Sequence, residues 1–355
     1  MIDELYMLRC LELAQKAKGF TAPNPMVGAI LVYSNRIVGE GWHQQYGEAH
    51  AEINCLNNVL PEDRHLISES TMYVNLEPCA HNGNTPPCSV RLVEEKVKKV
   101  VICNKDPFEK VNGKGIQNLI NNNIEIKTDL LSNAGLWLNR RFLCFHQLHR
   151  PYIILKWAQT LDSFIGQSNK QIQISNMVCK QLMHKWRTEE AAIIIGTKTA
   201  LCDNPQLNAR LWHGKNPLRI VIDRELKIPA TNNIFDNSAN TWIINKKKNE
   251  ICNNINYIKL TFNYNIVSEI LKLLFEAKIV SLIVEGGSQL LNSFIELELW
   301  DEARIFTGNT SLGNGIKSPS LTNSELVLNT EIEDNKLQLF TNKNNKYPFY
   351  PSLEL

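Results

Sequence analysis

Apolar positions in the first part of the chain switch repeatedly between two spacings, and the switches outline alternating helices and strands. Leu5, Leu8, Leu11 and Ala14 keep near-helical spacing, which predicts an opening helix. Residues 26–33 and 36–41 read as strands joined by a turn at Ser34-Asn35. A helix beginning near His50 carries Ile53 and Leu56, and a strand over 71–76 runs into a Pro78-Cys79 turn. Residues 90–97 and the region near Ile116 read as helices, with short strands at 99–103 and 124–126. This alternation predicts a sheet with helices on both faces, an α/β layer architecture.

Residues 136–148 read as one more helix. It ends near Arg150-Pro151, because proline drives the residue before it away from helical conformation. A second α/β series follows, with strands at 152–157, 192–195, 218–222, 241–244, 257–260, 280–284 and 302–306. Its helices are expected at 178–188, 266–277 and 289–298, and no repeat relates the two series. At 355 residues the chain exceeds one ordinary core, so two domains are expected, 1–149 and 150–355.

Composition removes several function classes. Hydrophobic residues at 43% and charged residues at 21% are globular values. A net charge of +2, without a basic stripe rich in aromatics, leaves no electrostatic footprint for nucleic acid. No apolar run approaches the ~20 residues that span a bilayer. The start, Met1-Ile2-Asp3-Glu4, lacks the basic and apolar stretches of a signal peptide. Nine cysteines form an odd set without framework spacing, so reduced thiols and a cytoplasmic location are expected. Runs such as Asn121-Asn122-Asn123 and Lys246-Lys247-Lys248-Asn249 read as loop composition.

Chemistry enters with His50-Ala51-Glu52 and Pro78-Cys79, followed by Cys88 after eight intervening residues. One imidazole and two thiolates suit Zn²⁺ and leave a fourth tetrahedral position open, the mark of a catalytic rather than a structural zinc. Zinc lowers the pKa of a bound water, and a neighbouring carboxylate, here Glu52, is needed to move its proton to a ring and then to a departing amine. The H-x-E…P-C order is that of the zinc-dependent nucleobase deaminases. A structural zinc would want a fourth ligand, for which Cys55 and His81 are available. His81 suits a substrate contact better.

The cysteine spacing narrows the comparison. Pro78-Cys79-Ala80-His81-Asn82-Gly83-Asn84-Thr85-Pro86-Pro87-Cys88 resembles the signature of the riboflavin-biosynthesis deaminases, as does Thr21-Ala22-Pro23-Asn24-Pro25-Met26-Val27-Gly28 upstream. The resemblance implies a cytidine-deaminase-like α/β/α domain with His50, Cys79 and Cys88 on zinc and Glu52 as proton carrier. Asn84 departs from the usual basic residue. Asp106-Pro107-Phe108-Glu109 departs from D-P-N-P, although Val111-Asn112-Gly113-Lys114-Gly115 returns to the pattern.

In the second series, Val284-Glu285-Gly286-Gly287-Ser288 follows an apolar strand and opens a helix. Two glycines there let a ligand approach the backbone, and the helix start attracts phosphate, although such a pair is also an ordinary tight turn. Lys156-Trp157-Ala158-Gln159-Thr160-Leu161-Asp162, Asp203-Asn204-Pro205-Gln206-Leu207-Asn208-Ala209-Arg210 and Arg219-Ile220-Val221-Ile222-Asp223 resemble, in order, the reductase of the same pathway. The whole chain thus resembles the bifunctional family that fuses this deaminase to a reductase with a dihydrofolate-reductase-like α/β fold. The resemblance implies hydrolytic deamination of 2,5-diamino-6-(ribosylamino)-4(3H)-pyrimidinone 5′-phosphate, then NADPH-dependent reduction of its ribosyl group to ribityl. It assigns Ala158, Thr199, Asp203 and the run Gly287, Ser288, Gln289, Leu290, Leu291, Asn292 and Ser293 to NADPH. It assigns Arg187, Leu207, Arg210 and Glu285 to a small phosphorylated aminopyrimidine. Bifunctional relatives commonly assemble as homo-oligomers.

Ser163 replaces a usual glycine, Gln171 a substrate-contacting serine and Gln173 a cofactor-stacking tryptophan. Arg224 stands where a small polar residue is often found, and it could meet the 2′-phosphate of NADPH or solvent. Three other readings stay open: a deaminase with a degenerate reductase domain, a nucleic-acid editing deaminase, and a zinc-stabilised scaffold without catalysis.

Overall fold

Residues 2–80, 86–167 and 172–354 are described by the computed structural model. They fall into two units, Met1–Leu148 with Tyr347–Leu355, and His149–Lys346. The sequence reading ran the second domain through to the C-terminus. The last residues belong instead with the first unit, because Tyr347 and Leu353 bury there and Glu354 pairs with the buried Arg140.

In chain order the first unit contains α1 (Ile2–Gln15), β1 (Gly28–Tyr33), β2 (Arg36–Trp42), α2 (Ala51–Asn57), β3 (Thr71–Leu76), α3 (Cys88–Glu94), β4 (Lys99–Asn104), α4 (Lys114–Asn121), β5 (Glu125–Lys127), α5 (Ser132–Leu138) and α6 (Arg140–Leu148). The sheet runs β2-β1-β3-β4-β5, antiparallel across β2-β1-β3 and parallel across β3-β4-β5. Ser34 and Asn35 have φ of 45° and 65°, the left-handed pair that a two-residue hairpin turn needs. Alternate strand residues serve opposite faces. Leu31, Val74, Val100 and Ile102 pack with Cys55 and Leu56 of α2, Leu92 of α3 and Leu119 of α4, whereas Ile30, Tyr73 and Val101 pack with Met7, Cys10 and Leu13 of α1.

The single helix expected over 136–148 is two helices, α5 and α6, broken at Asn139 (φ −96°, ψ 16°). The cause is a distant partner. The Asn139 side chain turns to the Met26 backbone, accepting from its N–H at 2.9 Å and donating to its carbonyl at 3.0 Å.

The second unit contains β6 (Tyr152–Gln159), β7 (Phe164–Gly166), α7 (Met177–Glu189), β8 (Ala192–Gly196), α8 (Thr197–Asp203), β9 (Leu218–Ile222), β10 (Thr241–Asn245), β11 (Glu250–Cys252), β12 (Ile255–Lys259), α9 (Ile266–Glu276), β13 (Ser281–Val284), α10 (Ser288–Glu296), β14 (Glu302–Thr307), β15 (Ile316–Lys317), β16 (Ser324–Ile332) and β17 (Asn335–Asn342). The main sheet runs β11-β12-β10-β9-β8-β13-β6-β14-β17-β16, and β12 through β14 in that order are parallel. Parallel strands covered on both faces read as continuous apolar runs, as Ala192-Ile193-Ile194-Ile195 does. The edge hairpin β16–β17 was not expected from the sequence, since β16 is only partly buried and its one apolar run, Leu326-Val327-Leu328, is short. The ends of β6, β8 and β13 bring Lys156, Thr199 and Glu285-Gly286-Gly287 to one edge of the sheet. Carboxyl ends of parallel strands are where open α/β sheets bind ligands. No helix among the described residues is long and apolar enough to cross a membrane.

Candidate active sites

His50 is the N-cap of α2, extended at φ −73° and ψ 166°, and Glu52 lies in the first turn. His50 is therefore not yet helical, and Glu52 lies close enough to interact with both His50 and Cys88. Cys79 follows β3, and Cys88 opens α3. The His50 Nδ1 atom lies 3.5 Å from Cys79 Sγ and 3.4 Å from Cys88 Sγ. A tetrahedral zinc with nitrogen at ~2.0 Å and sulfur at ~2.3 Å sets those ligand atoms about 3.5 Å apart. The donor set therefore fits Zn²⁺ in chemistry and in spacing. Among the described residues, these three form the one group of three or more side chains close enough to share a metal. Cys55 packs into the core beneath α2 and is not in that group, and His81 lies outside the described residues.

Local hydrogen bonds prepare the ligands. Cys79 Sγ accepts the Cys88 backbone N–H at 3.2 Å. Hydrogen bonding to Cys88, helped by His50, draws the Cys79 thiol down to about 4, while the same pairing and burial push the Cys88 thiol up. Glu52 is 3% exposed, and its burial pushes the carboxyl above the ordinary range despite the nearby His50. A carboxyl that keeps its proton at higher pH is suited to donate one.

Two neighbours of this site were missed in the sequence. His43 contacts Asn24 Nδ2 through Nε2 at 3.2 Å and lies edge-on to His50, ring centres 5.3 Å apart. Glu77, just before Pro78, is buried and accepts four backbone N–H groups, from Asp106, Gly113, Gly115 and Ile116 at 3.0–3.2 Å. It ties the 105–116 loop to the Cys79 turn, and Gly115 is required there because a Cβ would lie 2.0 Å from the Pro78 carbonyl oxygen. A charged residue between an apolar strand and Pro-Cys was the available signal.

Asp106 is buried in the same loop, and burial, helped by Glu77 and Cys79, raises its pKa to about 7. A carboxyl raised above its unfolded value of ~3.9 favours the fold below that pH, and this contribution is lost as pH rises through the folded value. Asp106→Asn is therefore expected to stabilise the first unit at pH 8 by on the order of a few kcal/mol, with the gain vanishing near pH 4. Melting temperatures of both chains across that range check it. A gain equal at both pH values would assign the effect to packing.

The second site centres on Glu285. Its Oε2 accepts from Arg187 Nη2 at 2.8 Å, and Lys156 Nζ lies 3.9 Å from Oε1. Burial pushes Glu285 up, but Arg187 and Lys156 outweigh it and hold the carboxylate below its ordinary range. Burial pulls Lys156 below the ordinary lysine range. The buried Oε1 of Glu285 has no hydrogen-bond partner among the described residues, an acceptor suited to a ligand hydroxyl or amine. Nothing in the sequence motif marks Lys156 for a role, and its burial is a tertiary fact.

The backbone beside it suits the phosphates of NADPH. Gly286 has φ 125°, and a Cβ there would meet open space. The Gly287 N–H donates to Thr199 Oγ1 at 2.7 Å, and α10 begins without a side-chain cap. An uncapped helix start leaves backbone N–H groups that attract anions. Thr199, Gly287 and Ser288 are thus brought together, and Ala158 sits on β6. Asp203 is exposed at the end of α8. Leu207 and Leu291 bury their side chains in the core, so only their backbones are available to a ligand. Leu290 packs against the same core, Gln289 is exposed, and Asn292 and Ser293 are half-buried along α10. Arg210 is exposed and reaches Asn208 Oδ1 at 2.9 Å, while the Asn208 carbonyl accepts from Arg187 at 3.0 Å. Arg224 is exposed beside Glu225, which Lys246 and Lys247 also pair. Gln173 is exposed, and Asn84 and Gln171 lie outside the described residues.

Residues 1–104 match the cytidine and deoxycytidylate deaminase zinc-binding region, and residues 151–345 match the RibD C-terminal domain. The chain is 35% identical to riboflavin biosynthesis protein RibD of Aquifex aeolicus, with 89% of each chain covered. It is 36% identical to that of Bacillus amyloliquefaciens, covering 91% of this chain and 89% of the relative. A diaminohydroxyphosphoribosylaminopyrimidine deaminase/5-amino-6-(5-phosphoribosylamino)uracil reductase from Thermotoga maritima is similar in structure. Its TM-score is 0.89 at 30% identity, over 96% of this chain and 99% of that one. With a zinc-type donor set in one unit and a phosphate-receptive reductase site in the other, the chain belongs to the RibD family, the zinc- and NADPH-dependent bifunctional deaminase–reductases of riboflavin biosynthesis.

Proposed function

We propose that this chain deaminates 2,5-diamino-6-(ribosylamino)-4(3H)-pyrimidinone 5′-phosphate with His50, Cys79, Cys88 and Glu52, and reduces the product with a site built on Lys156, Arg187 and Glu285. The observation that carries the reading is the pair of contacts at 3.4 and 3.5 Å from His50 Nδ1 to two thiol sulfurs, with a buried acid in the adjoining helical turn. Zinc held by the three ligands supplies Lewis acidity, lowering the pKa of a water at neutral pH. Glu52 takes one proton from the water as its oxygen bonds to the amine-bearing ring carbon and passes that proton to the ring nitrogen; it then takes the second proton from the new hydroxyl and passes it to the amine, which leaves as ammonia as the C–N bond breaks and the carbonyl forms. Asn24 and His43 border the same pocket and are positioned to orient the ring.

In the second unit NADPH, when bound, would supply the hydride for C1′ of the ribosyl group, and the protein's part is positioning and proton supply. The C1′–O4′ bond opens as hydride arrives, and O4′ takes a proton. Lys156 is the donor, since a buried amine with a lowered pKa gives up its proton readily. Glu285 Oε1 accepts from a ribosyl hydroxyl, Arg187 keeps Glu285 in place, and Arg210 meets the phosphate at the surface. The start of α10 would receive the phosphates of NADPH.

Zinc-loaded chain incubated with the diaminopyrimidine ribosyl phosphate and NADPH is expected to release ammonia and oxidise NADPH in equal amounts. Ammonia alone would leave a deaminase with a silent second unit. Neither signal, from folded zinc-bearing protein, would overturn the substrate assignment.

A further inference from the structure

The C-terminal residues of the first unit are anchored by buried polar contacts. Glu354 pairs with Arg140 at 2.9 Å, their side chains 5% and 2% exposed. The same carboxylate oxygen accepts from Trp137 Nε1 at 3.1 Å. The Arg140 guanidinium lies 3.8 Å from the Trp137 ring centre and donates to the Trp137 carbonyl at 2.8 Å. Phe349 meets the Trp137 ring edge-on at 5.0 Å. The Leu353 carbonyl accepts from Gln15 Nε2 at 3.0 Å, and the Tyr347 hydroxyl donates to Gln147 at 3.1 Å.

Trp137 and Arg140 flank the break between α5 and α6, and Asn139 lies in that break. Its two hydrogen bonds to Met26 hold the loop that precedes β1. Asn75 of β3 supports the same loop, donating to the Met26 carbonyl at 3.0 Å and accepting from Gly28 N–H at 2.7 Å. Two residues upstream, Asn24 contacts His43, and His43 contacts both His50 and the Val27 carbonyl, the latter at 2.8 Å. A run of contacts, carried along the chain from Arg140 to Asn139 and from Met26 to Asn24, thus leads from Glu354 to His43, which borders the zinc ligand His50.

We propose that residues 347–354 form a clasp that sets the 21–28 loop at the deaminase site, with Asn139 as the positioning residue. The physical reason lies in the buried charge. Without Glu354, the buried Arg140 cation has lost a buried carboxylate partner, a loss that a protein relieves by moving the group toward water. Arg140 is the next residue after Asn139, so that movement carries the Asn139 side chain away from Met26. The zinc ligands come from α2, α3 and the turn after β3 and stay where they are. The effect therefore falls on substrate binding by the loop rather than on metal retention. The inference rests on His50, Cys79 and Cys88 being the deaminase centre.

The test uses the full-length zinc-loaded chain with Asn139→Ala, Glu354→Ala and Glu354→Gln. Zinc content, KM and kcat for ammonia release, and amide hydrogen exchange across 21–28 are measured. Asn139→Ala and Glu354→Ala are expected to raise KM about tenfold and speed exchange in the loop, with kcat within about threefold and zinc unchanged. Glu354→Gln keeps an acceptor for Trp137 and should fall between wild type and Glu354→Ala. Wild-type KM and exchange in Asn139→Ala and Glu354→Ala would overturn the proposal, as would a raised KM with unchanged exchange. Should Glu354→Ala fail to fold, Asn139→Ala and Glu354→Gln decide by the same criteria. A wild-type chain that releases no ammonia would sink the site assignment instead, while the exchange measurement would still decide the clasp.

Discussion

Glu52→Gln is expected to keep its zinc and to lose ammonia release by about 10²–10⁴-fold, the range that positioned proton transfer contributes. The substitution is nearly isosteric, and Glu52 is not among the side chains grouped as metal donors. An amide can hold the same hydrogen-bonding position but cannot pass a proton from water to ring and on to the amine. Burial makes the loss severe, since Glu52 is 3% exposed and bulk solvent is poorly placed to substitute for it. Reduction of material that is already deaminated should proceed at the wild-type rate. Full ammonia release would remove Glu52 from the mechanism. Loss of zinc together with activity would make it a ligand or a support of one.

The second large effect is expected at Lys156. Lys156→Met should lower NADPH oxidation on the deaminated substrate by about 10²-fold or more while ammonia release stays at wild type. Methionine is close in length and apolar, so the site keeps its packing and loses an amine that was costly to bury. Glu285 remains paired with Arg187 at 2.8 Å, so no carboxylate is stranded and the melting temperature should not fall. Reduction within tenfold of wild type would leave Lys156 as a structural partner of Glu285 only. A loss matched by weaker NADPH binding would move Lys156 from the substrate to the cofactor.

Legibility differed between the two sites for a chemical reason. Thiolates and imidazole at the spacing His50…Cys79…Cys88 have few other uses, so their order in the chain is informative by itself. Arg187, Glu285 and Lys156 are common residue types, and nothing local marks them as neighbours. What joins them is the parallel packing of β6 beside β13 and the arrival of α7. Leu207 and Leu291 show the converse: a motif position can be matched while its side chain points into the core.

Elements with strong local signals were readable from the chain itself. The Ser34-Asn35 hairpin, β3 leading to Pro78, and the apolar parallel strands follow from backbone preference and burial on one face or two. So did the two α/β units and the donor set for zinc. Tertiary structure alone decided the break at Asn139, the anchoring of Glu77 by four N–H groups, the burial of Lys156, and the return of the C-terminal residues to the first unit. Each depends on a partner far away in sequence, and each is a polar group taken out of water. Hydrophobic period reports which way a residue faces, but not which hydrogen-bond partner a buried polar group will find, and that partner decides whether burying it is tolerable.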